Sequence, residues 1–280
     1  MAISGVLGLF SGRPQHPIGA DGRMALSDHF RELRARLLRS VLVLVVAFCI
    51  ALFFYDQLLE LILVPYNKAV DQLDPETRSE AVLNGVAAGL LLQLKLCGVA
   101  ALVASSPYWL YQIWAFIVPG LHPSEKKWTR IFAAVAGPLF IVGVAVGYYV
   151  LPKGIAVLIG FTPVDVTNLV EFTEFFSFIS RMLLVFGISF EIPLFVIMLN
   201  LAGVVKGKQI ARYRPWIIFG TFVFAAVATP STDPFSMLFL AIPMLVLFLV
   251  AEVIARSVDK ARGRDAGSTD QWSDDEVSPL

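Results

Sequence analysis

Residues 24–38 read MALSDHFRELRARLL, and the fifteen residues that follow from Val41 to Tyr55, VLVLVVAFCIALFFY, carry no charge. Four arginines, Arg31, Arg34, Arg36 and Arg39, stand within nine residues with a single acid, Glu32, among them. A basic collar directly before an apolar run is the signature of a membrane-spanning helix entered from the cytoplasm, since Lys and Arg concentrate on that side. Ser27 or Asp28 is placed to cap the helix, a short polar side chain accepting the unpaired N–H groups of a first turn. Glu32 is the odd member of the collar and the first candidate binding group.

The rest of the chain fits a membrane protein. Of its 280 residues 57% are hydrophobic and 16% charged, where a soluble chain carries about 25% charge. Mean hydropathy is +0.74, and the apolar residues fall in long blocks rather than in short amphipathic stripes. The two cysteines, Cys49 and Cys97, sit inside apolar segments and read as free thiols. Residues 1–23 lack a basic segment before their short apolar piece, so they read as a flexible cytoplasmic tail, and Met24 is a second candidate start.

Six spans are predicted. The first covers about Leu37–Tyr55, and a polar connection containing Pro65 runs from Asp56 to Glu80. Leu83–Val118 is nearly continuous, with Lys95 its one charge. A helix of that length would reach about 54 Å across a hydrocarbon core of about 30 Å. Its first turns are therefore expected outside the bilayer, with a kink at Pro107. The third span is Ile131–Leu151 and the fourth Phe175–Ala202, the latter with Arg181 near one end and Glu191 inside. Pro215–Thr229 and Phe235–Ala251 are short spans, which a bilayer accommodates by local thinning. The expected fold class is all-α: a six-helix membrane domain over 24–254, between the tail at 1–23 and a disordered tail at 255–280. Seventeen of the twenty-two Lys and Arg residues fall on the side of the two termini, which makes both termini cytoplasmic. No repeat relates the first three spans to the last three, against an inverted-repeat transporter.

Enzymatic chemistry finds little support. The three histidines, His16, His29 and His122, lie outside the spans, and there is neither an HExxH nor a phosphate-binding G-x-x-x-x-G-K-[ST]. No intramembrane histidine is available to activate a serine. No catalytic residue, metal ligand or cofactor is assigned. Four carboxylates remain. Glu32 and Glu125 each stand among bases, in RELRAR and SEKKW. The ordinary reading pairs each with its neighbours in an exposed salt bridge of about 0–1 kcal/mol; the functional one has the two receive a pair of guanidinium groups, whose planar fork suits a carboxylate. Glu191 lies deep in a span with Pro193 two residues on, where a charged, unpartnered carboxylate is costly. It is read either as a structural hydrogen-bonding group or as a neutral donor to a docking partner. Asp233, in TPSTDP, reads first as a helix cap.

HFRELRARLL at 29–38, SSPYWLYQIWAFIVPGLHPSEKK at 105–127, FGISFEIP at 186–193 and TPSTDPFS at 229–236 together resemble the TatC family, the large membrane subunit of the twin-arginine protein translocase. The resemblance spans roughly residues 26–252. It implies six helices in a curved, concave scaffold in the bacterial cytoplasmic membrane. It also implies a function: binding the twin-arginine signal peptides of folded cargo on the cytoplasmic face, assembling with TatA and TatB (or a single TatA-like protein) in a complex with several copies of the chain, and transport driven by the proton-motive force. Carried over by motif, Glu32 and Glu125, with Arg34 and Phe116, form the signal-peptide site. Glu191 is the intramembrane polar position, and Pro65 and Asp233 are further motif positions. Lys126 and Lys127 stand where the family often has arginine. A secondary transporter using Glu191 as a proton site is the competing reading; it leaves Glu32 and Glu125 unexplained.

The charge distribution predicts topology directly. Reporters fused after Leu73 and after Asp165 should be external, and those after Lys127 and Gly207 internal; an external reporter at Lys127 would overturn the six-span arrangement.

Overall fold

The computed structural model describes residues 26–72, 79–121, 126–163, 166–201, 203–229 and 234–262. The expected tail at 1–23 lies outside the described residues, as does the expected C-terminal tail at 255–280 from residue 263 on.

The first helix, α1, runs Leu26–Phe53. It starts earlier than the caps expected for it, so Ser27 and Asp28 lie inside its first turn, and the nearly buried Asp28 faces Arg31 at 3.8 Å. After a one-residue break the chain continues helically as α2, Tyr55–Val70. This corrects the polar connection expected from Asp56 onward: its charged residues lie on one face of a helix that buries Ile62, Pro65, Tyr66 and Ala69 on the other. Pro65 is thus a packed helical residue rather than a loop proline.

The long second apolar stretch bends near Pro107 as expected, but it is two helices broken at Ser105, and residues 83–87 are not helical. Helix α3 covers Ala88–Ala104 and α4 covers Ser106–Leu121, with a bend of 54° between them. Pro107 has no N–H to continue the helical ladder, and the carbonyl of Leu102, freed at the break, accepts the Trp109 indole N–H at 3.0 Å. Helix α5 is Lys126–Ile159 and α6 is Phe172–Leu201. A short helix α7, Gly207–Arg212, leads into α8, Arg214–Ala228, and α9, Pro234–Ala261, closes the described chain. Helix α9 passes the expected boundary at residue 254. Its buried Asp259 accepts the Gly207 N–H at 2.6 Å and the Asn200 amide at 2.9 Å, which fastens α9 to the start of α7 and the end of α6.

The all-α expectation misses one feature. Two four-residue strands, β1 at Ser79–Val82 and β2 at Asn168–Glu171, pair in parallel with Ser79 opposite Asn168 and Val82 opposite Glu171. They tie the α2–α3 connection to the α5–α6 connection. Their sequences, SEAV and NLVE, are too short for a period-two pattern to register.

Among the described residues four helices are long and apolar enough to cross a membrane, and a fifth span results if the bent α3–α4 pair is counted as one. Helix α8, at fifteen residues, is apolar but shorter. Helix α6 is the most buried of the long spans and α1 the least. Around α6 gathers an aromatic core that includes Phe172, Phe175, Phe176, Phe186 and Phe190, while α1 turns Leu37, Val41, Leu42, Val45, Val46 and Ile50 outward. In lipid, burying apolar surface does not itself drive helices together, so close packing must. Gly143 and Gly147 of α5 supply it: a methyl on Gly143 would lie 2.8 Å from the carbonyl oxygen of Phe186 and 2.8 Å from Cγ of Phe190. Gly137 likewise admits the backbone of Pro107, 2.6 Å from where its methyl would sit.

Both contacts are with backbone, which cannot step aside without parting the helices. Gly137→Ala and Gly143→Ala should therefore lower the melting temperature of the detergent-solubilised protein, overpacking costing about 1–3 kcal/mol. Gly220→Ala, with open space around it, should leave it unchanged or raise it slightly. Equal melting temperatures for all three would refute the close-packing account.

Candidate functional site

The arginine-rich first half of α1 lies along α4. Glu32 and Arg36 are one helical turn apart, a spacing that lets an acid and a base meet on one face. Arg36 donates through Nε at 2.9 Å and Nη2 at 2.6 Å, both to Oε1 of Glu32. Its Nη1 donates to Oε1 of Gln112 on α4 at 3.1 Å. The second oxygen of Glu32 has no partner among the described residues. With side-chain exposures of 25% for Glu32 and 21% for Arg36, the pair is partly shielded, and Gln112 locks it to a second helix. The pairing with a neighbouring base is the one the ordinary reading expects, but it is partly shielded and shared with Gln112 rather than freely exposed.

Beside this pair opens a groove of about 480 Å³ between α1 and the bent α3–α4 unit. Leu33, Leu37, Val41 and Leu44 form its α1 wall, and Trp109, Ile113, Phe116 and Ile117 its α4 wall. Phe116 also stacks on His29, ring centroids 4.4 Å apart. The result is a carboxylate at the edge of an apolar slot, chemistry suited to a cationic group followed by an apolar segment. Arg34 is exposed on the same helix. Glu125 lies outside the described residues, as does Asp233, so the geometry brings Glu32 and Phe116 together without including Glu125.

Glu191 sits on α6 facing the other side of α4. The Trp114 indole donates to its Oε2 at 3.1 Å, while its buried Oε1 has no partner among the described residues. Trp114 packs against Phe132 and Phe195. Glu191 is thus held within the chain as an acceptor, where a donor to an outside partner was one expectation, and one oxygen is left over. Gln112 and Trp114, two residues apart on α4, point to opposite faces: one α4 turn carries both the Glu32 pair and the Glu191 contact. Of these residues, Arg36 was legible from its i, i+4 spacing to Glu32. Gln112, Trp114 and His29 carried no local signal, because their partners come from distant segments.

Comparison with known proteins identifies the family. A family model described as Sec-independent protein translocase protein (TatC) matches residues 28–243. A protein of that name from Frankia casuarinae is 39% identical over 268 residues, covering 93% of this chain and 74% of its own. The one from Escherichia coli K12 is 31% identical, covering 86% of this chain and 92% of its own. A crystal structure described as the twin arginine translocase receptor TatC superposes with a TM-score of 0.70 at 29% identity, covering 82% of this chain and 98% of that one. With the family model matching well over half of its length, this chain belongs to the TatC family of Sec-independent protein translocase proteins.

Proposed function

We propose that this chain is the receptor subunit of a twin-arginine translocase, a non-catalytic membrane protein that captures twin-arginine signal peptides on the cytoplasmic face. In this reading it spans the bacterial cytoplasmic membrane six times, with α8 as a short fifth span and both termini inside, and forms a curved, concave scaffold. TatA and TatB, or a single TatA-like protein, assemble on it with further copies of the chain, and the proton-motive force drives transport of the folded cargo. The observation that carries the reading is the Glu32 pair at the edge of the α1–α4 groove. A signal peptide's guanidinium meets an oxygen of Glu32 that Arg36 leaves open, and the apolar residues that follow enter the slot lined by Leu37, Ile113 and Phe116. Glu125 supplies the second carboxylate, and Arg34 and Phe116 border the site. Lysine would satisfy the charge but lacks the planar, fixed fork of donors of a guanidinium.

Site-specific crosslinking to a twin-arginine peptide tests this. A charge-assisted hydrogen bond contributes about 1.5–3 kcal/mol, so Glu32→Gln and Glu125→Gln should each weaken crosslinking by about ten- to a hundredfold, with normal amounts of protein in the membrane. Wild-type chain should ignore the twin-lysine peptide. Unchanged crosslinking in the double variant would return both glutamates to ordinary surface pairing.

Glu191 is the second polar position of the proposal, facing partner subunits and anchored by Trp114. Glutamine keeps an acceptor for the indole N–H, whereas leucine leaves that buried donor unpaired at about 1–3 kcal/mol. The expected order is that Glu191→Gln retains much of the transport, Glu191→Leu loses it together with partner contact, and both still bind signal peptide. If Gln is as inactive as Leu while partner contact persists in both, a titrating proton at Glu191 is required instead.

A further inference from the structure

A third charged cluster lies away from the Glu32 groove and from Glu191. Glu252, on α9 just beyond the apolar run that ends at Ala251, is 2% exposed yet carries two guanidinium groups. Arg214, the first residue of α8, donates to it twice, through Nε to Oε2 at 3.0 Å and through Nη2 to Oε1 at 2.6 Å. Arg256 approaches the same Oε1 at 2.7 Å. One buried carboxylate between two arginines leaves a net positive charge, and it falls on the outer side: the Arg214 and Arg256 side chains are 44% and 49% exposed. The surrounding chain adds to it. Segments 203–214 and 252–262 hold four and three basic residues, against two acids, Glu252 and the buried Asp259.

An apolar groove of about 400 Å³ adjoins this cluster, lined by Val196, Leu199, Val204, Ile217 and Phe248, with Tyr213 on its wall. Phe248 is one α9 turn before Glu252, and Tyr213 immediately precedes Arg214, so groove and charge are continuous. Tyr213 and Trp216 stand exposed at this end of α8, the aromatic pattern of a membrane–water interface. Helix α8, fifteen residues long, reaches only about 22 Å at 1.5 Å per residue, against a hydrocarbon core of about 30 Å. Lipid beside it must thin, which draws headgroups toward the arginines.

We propose that Arg214 and Arg256 bind the phosphodiester of an anionic phospholipid, one acyl chain of which lies in the adjoining groove. Glu252 holds the two guanidinium groups a fixed distance apart, with their remaining N–H donors outward. Basic pockets between membrane helices favour anionic headgroups for this reason, and the apolar groove distinguishes a lipid from a free phosphate ion. The proposal does not depend on the signal-peptide reading of Glu32.

Native mass spectrometry of the detergent-purified chain, titrated with phosphatidylglycerol, phosphatidylcholine or inorganic phosphate, tests it. The wild type should retain phosphatidylglycerol in preference to phosphatidylcholine and should not bind inorganic phosphate. The triple variant Arg214→Gln, Glu252→Gln, Arg256→Gln removes all three charges without stranding a buried carboxylate. It should bind phosphatidylglycerol roughly 30-fold more weakly, the factor equivalent to about 1 kcal/mol for each of two basic groups. Equal retention of the two lipids by the wild type, unchanged binding by the triple variant, or binding of inorganic phosphate as strong as that of lipid would each overturn the proposal. So would an acidic partner protein that co-purifies with the wild type, is lost in the triple variant, and leaves lipid retention unaltered.

Discussion

Hydrocarbon offers no hydrogen bonds, and the polar atoms of this chain are arranged around that fact. Where the second apolar stretch breaks, the Trp109 indole takes the carbonyl of Leu102. Ser189 and Thr221 return their hydroxyl groups to carbonyls one turn back on their own helices. Tyr148 of α5 donates to the carbonyl of Leu61 in α2, and Glu191 takes the indole N–H of Trp114. The last two bonds also cross between elements, so the need to satisfy polar atoms does part of the work of assembly that burial of apolar surface does in water.

The bend between α3 and α4 has a consequence for function. A straight helix would run past the bilayer, as the length of the apolar stretch implies; the bend instead lays α4 between α1 and α6. One face of α4 then holds Gln112 and Phe116 against the Glu32 region, and the other holds Trp114 against Glu191. The two polar positions that the family resemblance treats separately are therefore supported by one sixteen-residue helix. Gly137, which lets the Pro107 backbone approach α5, is what gives that helix a firm back.

Carboxylates recur as organisers at one end of the helices. Glu32 collects Arg36, Glu252 collects Arg214 and Arg256, and Asp259 collects a backbone N–H and an amide. Each is more than half buried, and Glu252 and Asp259 join α9 to the start of α8, the start of α7 and the end of α6. A carboxylate shielded in this way binds its partners more firmly than one in open water, since fewer water molecules compete and screening is weaker. At Glu252 it also concentrates the surplus charge on one outward edge.

By itself the sequence determined the apolar runs, a kink near Pro107 and the pairing of Glu32 with a neighbouring base, because each is a matter of spacing along one helix. It also carried the motifs that mark the TatC family. It misread residues 56–70, where charged residues on one face concealed a helix that buries Pro65 and Tyr66 on the other. Only the tertiary structure decided that Gln112 meets Arg36 across 76 residues and Trp114 meets Glu191 across 77. It alone decided that SEAV pairs with NLVE, and that Arg214 reaches Glu252. The reason is physical: a lone Gln, Trp or four-residue strand has many possible partners in one dimension. Its actual partner is chosen by how closely the helices pack, which depends on glycines and a bend far from the residues that finally touch.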